Sequence, residues 1–235
     1  MEKNTALDFL LFDYIGITGK DDFETIVNAA IEKAYIDAAS HVLSIEGGNE
    51  KAKKKGLKII RDNIGKKDYY ADFDSWHNTL CQDLQDMEEA KSDLSYGVAQ
   101  KWVNMTLKYL LCINGIIDNE QLKKVTSISD NYHIPIDSYV IEALCREMET
   151  DPSVVLPAKR TSGEDQSQQF YCKEKSKIGN DRKPLWEYSA PQEKIQPWSN
   201  WDDKDYEEFR KNISKKYNLI WETTTWISVS KKRNG

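Results

Sequence analysis

Two lysines and one aspartate carry the chemical interest of this 235-residue chain. Lys101 and Lys108 stand two helical turns apart in Gly97-Val98-Ala99-Gln100-Lys101-Trp102-Val103-Asn104-Met105-Thr106-Leu107-Lys108-Tyr109-Leu110-Leu111, and Asp137 follows in His133-Ile134-Pro135-Ile136-Asp137-Ser138. A neutral amine attacks electrophilic carbon. Its pKa must first fall from about 10.4, and desolvation by apolar neighbours drives it down. A nearby carboxylate then stabilises the positive charge that develops at the reacting carbon. Lys101 has such neighbours in Trp102, Val98 and Met105. Asp137, in the first turn of a following helix, is favoured as the anion by the helix dipole. Each group also has a plainer use. The lysines can snorkel from a wet edge, Asp137 can serve as a helix-start residue, and His133 can satisfy a backbone carbonyl.

Other chemistries are poorly provided for. The three histidines, His41, His77 and His133, form no HxxxH or HExxH spacing, so neither a metal site nor a cofactor is expected. There is no P-loop, no dinucleotide glycine pattern and no G-x-S-x-G. The four cysteines (Cys81, Cys112, Cys145, Cys172) show no CxxC spacing. Three lie in helical apolar patterns, which predicts reduced core thiols.

The elements that must position these groups read as helices. Val98, Trp102, Met105, Tyr109 and Cys112 recur at steps of three and four, and Val103, Leu107, Leu110 and Leu111 widen the stripe. Lys101, Asn104 and Lys108 share the narrow polar seam left over, with Gln100 beside it. The helix starts after Ser92-Asp93 and stops at Asn114-Gly115. Upstream, Asp21-Asp22 caps a helix from Phe23 to about Leu43 that Gly47-Gly48 ends. A basic helix from Glu50 to about Ile64 carries Lys51, Lys53, Lys54, Lys55, Lys58 and Arg61, and Gly65-Lys66-Lys67 closes it. An acidic amphipathic helix runs from Asp72 to about Lys91. Downstream, Leu122–Ser129 is a short element, and Pro135 opens a helix that continues to about Met148. Residues 150–197 read as a loop-rich insert, with a mobile loop at 161–169. A second basic cluster follows (Lys173, Lys175, Lys177, Arg182, Lys183) beside Phe170, Tyr171 and Trp186. A helix from Asp202 to about Tyr217 comes next, and the tail Leu219–Ile227 has strand propensity or forms an extended arm. The expected fold class is mainly α, one helical domain over 1–235 with two lobes around a cleft.

Hydrophobic residues make up 39% and charged residues 31%, so a core sits under a heavily charged surface. A net charge of −6 argues against binding nucleic acid over the whole surface, but the two basic clusters are local exceptions. No stretch nears the roughly 18 apolar residues that span a bilayer. The start, Met1-Glu2-Lys3-Asn4-Thr5, lacks the order of a secretion signal, so a cytoplasmic protein without membrane association is expected.

The blocks Gln100–Tyr109 and His133–Val140 resemble the two motif blocks of the archaeal-type 8-oxoguanine DNA glycosylases, a branch of the helix–hairpin–helix glycosylase superfamily. The shared features are a lysine, a second lysine two turns on in an apolar-aromatic helix, and later a Pro-apolar-Asp helix start. The glycine-rich hairpin of the wider superfamily is absent between the blocks, where Ile113-Asn114-Gly115-Ile116-Ile117 stands instead. The resemblance implies a helical glycosylase-like fold in which Lys101 is the Schiff-base nucleophile, Asp137 its carboxylate and Lys108 a second, non-nucleophilic lysine. The implied partner is DNA, either duplex with a flipped base or single-stranded, bound by a monomer. Lys55, Lys58, Lys66 and Lys67 would then hold phosphates. Gln100, Asn104 and His133 would flank the nucleophile, and Trp198, Trp201 or Trp221 would stack on the base. The competing reading is a non-catalytic helical protein that binds nucleic acid or another protein.

Overall fold

Capping chemistry fixes where the helices of this chain begin. The computed structural model describes residues 3–40, 49–90, 94–147, 151, 154, 156–157, 170–171 and 195–234. Contacts divide it into two compact units, residues 1–135 and 136–235.

In the first unit α1 spans Lys3–Ile15 and α2 Phe23–Ala38. The side chain of Asp22 accepts from Thr25 N at 2.8 Å, as the Asp-Asp start predicts, and Ile26, Val27, Ala30, Ile31 and Ala34 turn inward. The helix ends sooner than the apolar period suggests, at Ala38, and the Gly47-Gly48 stop lies outside the described residues. The basic helix α3 covers Asn49–Asn63, and Gly65, at φ +76°, makes the left-handed turn after it. Lys66 and Lys67 do not end in a turn. They lead straight into the short helix α4, Lys67–Ala71. Asp72 caps α5, Phe73–Gln85, through Ser75 N at 3.1 Å.

The central helix α6 spans Tyr96–Asn114 and starts one turn later than Ser92-Asp93, because Ser95 is the cap. It packs most extensively on α2, then on α5 and on α7, Glu120–Thr126. Every side chain from Tyr96 to Asn104 is buried, whereas Met105, Lys108 and Tyr109 are half-buried and Cys112 is exposed. Cys112 is therefore no core thiol. Leu110 and Ile113 stay buried, but the face shared by Met105, Lys108, Tyr109 and Cys112 is only partly covered, so the last member of the expected stripe meets water. Gly56 of α3 rides on the Trp102 ring so closely that a Cβ there would lie 2.4 Å from ring carbon. Trp102 is fully buried and donates Nε1–H to the Ile31 carbonyl at 3.1 Å. In α1, by contrast, Phe9, Leu10, Phe12 and Tyr14 are exposed.

In the second unit α8 spans Ser138–Glu147. It begins three residues after the expected start at Pro135, so that Pro135 precedes it and Asp137 sits at its N-cap position. Leu156–Pro157 (β1) and Phe170–Tyr171 (β2) pair antiparallel as a two-residue ladder, and Ile195 makes a single bridge besides. The 161–169 loop, the second basic cluster and Trp186 lie outside them. Helix α9, Asp203–Asn212, opens with a reciprocal box between Asp202 and Asp205. The tail, expected as a strand or extended arm, is a helix, α10, Leu219–Asn234. Asn218 caps it through Ile220 N and Trp221 N at 3.1 and 3.0 Å. Packing on α8, including Tyr139 against Trp226 at 5.2 Å, overrides the β-branched composition. The chain is thus mainly α-helical. No helix among the described residues is long and apolar enough to cross a membrane.

Candidate active site

Lys101 lies in the fully enclosed half of α6 and is only 8% exposed. The neighbouring polar side chains form a connected network. Asn104, one turn on and completely buried, donates Nδ2–H to Gln100 Oε1 at 2.9 Å and to the Ile134 carbonyl at 3.2 Å. Gln100 Nε2 in turn donates to Gly97 O at 2.8 Å. The Ile134 carbonyl can only accept, which fixes the orientation of the Asn104 amide. Asn104 Oδ1 therefore accepts from His77 Nε2 at 2.8 Å, so that this nitrogen of His77 carries a proton. The His77 and His133 rings stand 4.3 Å apart, centroid to centroid, and His133 Nε2 donates to Asp74 Oδ1 at 2.5 Å.

The residues that hold this network were only partly evident in the sequence. His77 shares the inward face of α5 with Phe73, Trp76, Leu80 and Leu84, so a histidine on an apolar stripe was the available signal. Asp74 gave none, since it looks like any acidic residue in a first helical turn. Cys81 lies 3.8 Å from the His77 ring nitrogens, yet this pair does not make a thiol nucleophile. Complete burial pushes the Cys81 thiol well above its ordinary pKa, and His77 directs its Nε2 proton at Asn104. No group of three His, Cys, Asp or Glu side chains among the described residues could hold a metal ion.

Asp137 belongs to the second unit. Its Oδ1 accepts from Tyr139 N and Val140 N, both at 2.9 Å, and its carbonyl starts the helical ladder at Ile141 N. It is buried to 7% exposure. A carboxylate that accepts two backbone N–H groups at a helix start is held in one rotamer. Of the tryptophans proposed as base platforms, Trp201 is fully buried, donates Nε1–H to Gln196 O at 2.9 Å and packs on Phe209 at 5.5 Å. Trp221 is half-buried edge-on to Tyr217, and Trp198 is half-buried in a 3₁₀ turn, Trp198–Asn200.

Four of the six cations of α3 face carboxylates. Lys53 faces Glu32 at 3.9 Å, Lys54 faces Glu50 at 3.4 Å and Arg61 faces Glu24 at 3.5 Å, while Lys58 is hydrogen-bonded to Asp62. Lys66 donates to Asn63 Oδ1 at 3.1 Å. Lys51, Lys55 and Lys67 are exposed, and Lys108 is half-buried on α6. Compared with protein-family models, curated proteins and solved structures, the chain matches none.

Proposed function

We propose that this protein is a DNA glycosylase, with an accompanying β-lyase step, that removes a damaged or modified base. Lys101 attacks C1′ of the nucleotide as the N-glycosidic bond breaks and the base leaves with the bonding electron pair, taking up a proton, and Asp137 stabilises the cation-like transition state. The observation that carries the reading is the bond from Asn104 to the Ile134 carbonyl at 3.2 Å, which joins the two motif blocks resembling the archaeal-type 8-oxoguanine glycosylases. It links the helix that bears Lys101 to the segment that runs into Asp137. Burial of Lys101, at 8% exposure, supports the same reading, because it keeps the amine out of bulk water on the helix that carries the first motif block. Capping through Oδ1 is compatible with this role, since it fixes the carboxylate in advance of the reaction.

Borohydride trapping tests it. The probes are a duplex with a single abasic site and duplexes carrying 8-oxoguanine, uracil or 5-hydroxymethylcytosine. The abasic probe reads the amine chemistry whatever base is natural. The expected result is a covalent adduct that Lys101→Gln abolishes and Asp137→Asn lowers by about a hundredfold or more. No base release from any probe, with adduct no greater than in Lys101→Gln, rejects the proposal.

A further inference from the structure

Helix α1 reverses the usual order of a surface helix. On its inner side Leu11 is buried, and Asp8 turns to the loop after the helix, where its Oδ1 accepts from Gly19 N at 2.9 Å. On its outer side Phe9, Leu10, Phe12 and Tyr14 are between 59% and 64% exposed. A surface helix ordinarily turns its apolar stripe to the core and its charges to water. Exposed apolar side chains are common one at a time, but these four stand within two turns of one helix.

The orientation is held at two points. Besides the bond from Gly19 to Asp8, the Tyr14 hydroxyl lies 3.4 Å from that of Tyr109, and Lys33 stands 4.6 Å over the Tyr14 ring. The patch continues onto α2. A groove of about 400 Å³ between the two helices is lined by Tyr14 and Gly16 on one side and by Asn28, Glu32, Lys33 and Ile36 on the other. Ile36 is itself 54% exposed. Projecting rings and a groove thus lie side by side on one surface.

Such a surface can pair with itself. In a two-fold contact, whatever one copy inserts into its partner the partner inserts into it. With about 200 Å² for a large side chain, the five exposed ones present on the order of 600 Å² per copy. Two copies that cover them remove about 1,200 Å² from water, which reaches the range of stable interfaces. A bilayer surface fits less well. Helices that lie among lipid headgroups are rich in Lys or Arg, whereas α1 has Lys3 alone against Asp8 and Asp13.

We propose that this protein forms a two-fold homodimer through α1 and the outward side of α2, with Phe9 and Phe12 of each copy seated against the α1–α2 groove of the other. This differs from the monomer that the resemblance implies, and it does not depend on the reaction of Lys101.

Sedimentation equilibrium of the full chain between about 1 and 200 µM tests it. The mass is expected to rise with concentration from 27.2 kDa towards twice that value. Phe9→Ser with Phe12→Ser should raise the dissociation constant at least about a hundredfold while the circular dichroism stays that of wild type. Where that double variant does not fold, Ile36→Lys takes its place, with an expected rise of at least about tenfold. Wild-type chain that keeps the single-chain mass throughout overturns the proposal, and binding to vesicles of phosphatidylcholine and phosphatidylserine would then name lipid as the occupant. Association undiminished in the variant that folds also overturns it, because the contact then lies elsewhere. A mass that climbs past two copies does the same, since a two-fold contact closes on itself.

Discussion

Helices α3 and α6 both carry lysines, and they treat them in opposite ways. On α3 the cations stand at the surface, and four of the six basic side chains face carboxylates. On α6 Lys101 is enclosed, and the polar groups around it are engaged with one another and with the 132–134 segment. A row of exposed, neutralised cations costs little and can be altered without loss of fold. An enclosed lysine beside a satisfied amide network has to be justified by what it does. The number of charges in a stretch of sequence is thus a poorer guide to chemistry than the expense of placing one of them.

The contrast can be broken hardest where the two helices touch. Gly56→Ala puts a Cβ 2.4 Å from a Trp102 ring that is buried and hydrogen-bonded, so the ring cannot swing aside cheaply. Alanine's helix propensity offsets part of the strain, by about 1 kcal/mol. A net loss of about 1–3 kcal/mol is expected in denaturant melts. An unchanged midpoint would show that α3 and α6 are not held at this contact.

Lys101→Met sharpens the difference from the other side. If the lysine is kept for reaction, removing it changes stability by less than about 1 kcal/mol or stabilises, while adduct formation vanishes. A loss above about 3 kcal/mol would mark a structural ion pair instead.

The smallest effect belongs to α3. Lys54→Gln with Lys58→Gln should shift stability by no more than about 0.5 kcal/mol near neutral pH. The bond from Lys58 holds the Asp62 carboxyl below its ordinary 3.8. The support this pair gives is therefore complete above that value and is lost as pH falls through the lowered one. Lys58→Gln should flatten this part of the acid limb of a melting-temperature profile. A limb identical to wild type would show that the pair contributes nothing.

Much of the helical layout was legible. Asp22 and Asp72 announced their helices through side chains that can cap, and the apolar period of α6 put it at the centre. Other elements were hidden for physical reasons. In α1 apolar residues occur all round, so there was no period to read. In the tail, Thr223, Thr224, Thr225, Ile227 and Val229 favour a strand locally, and only contact with α8 makes a helix of them. The lysine and the aspartate were visible as residue types. The network around Asn104 was not, because it joins positions 74, 77, 104 and 133, which meet only through tertiary packing.

The partly open face of α6 has a practical side. Burial raises the Cys81 thiol pKa and takes that of Cys145 up to about 12, so neither favours thiolate. Cys112, exposed on the same helix as Lys101, sits about 16 Å further along the axis at the usual rise per residue. A fluorophore or spin label attached at that sulfur would ride on the rod that carries the amine and would test the proposed arrival of DNA from a distance that spares Lys101.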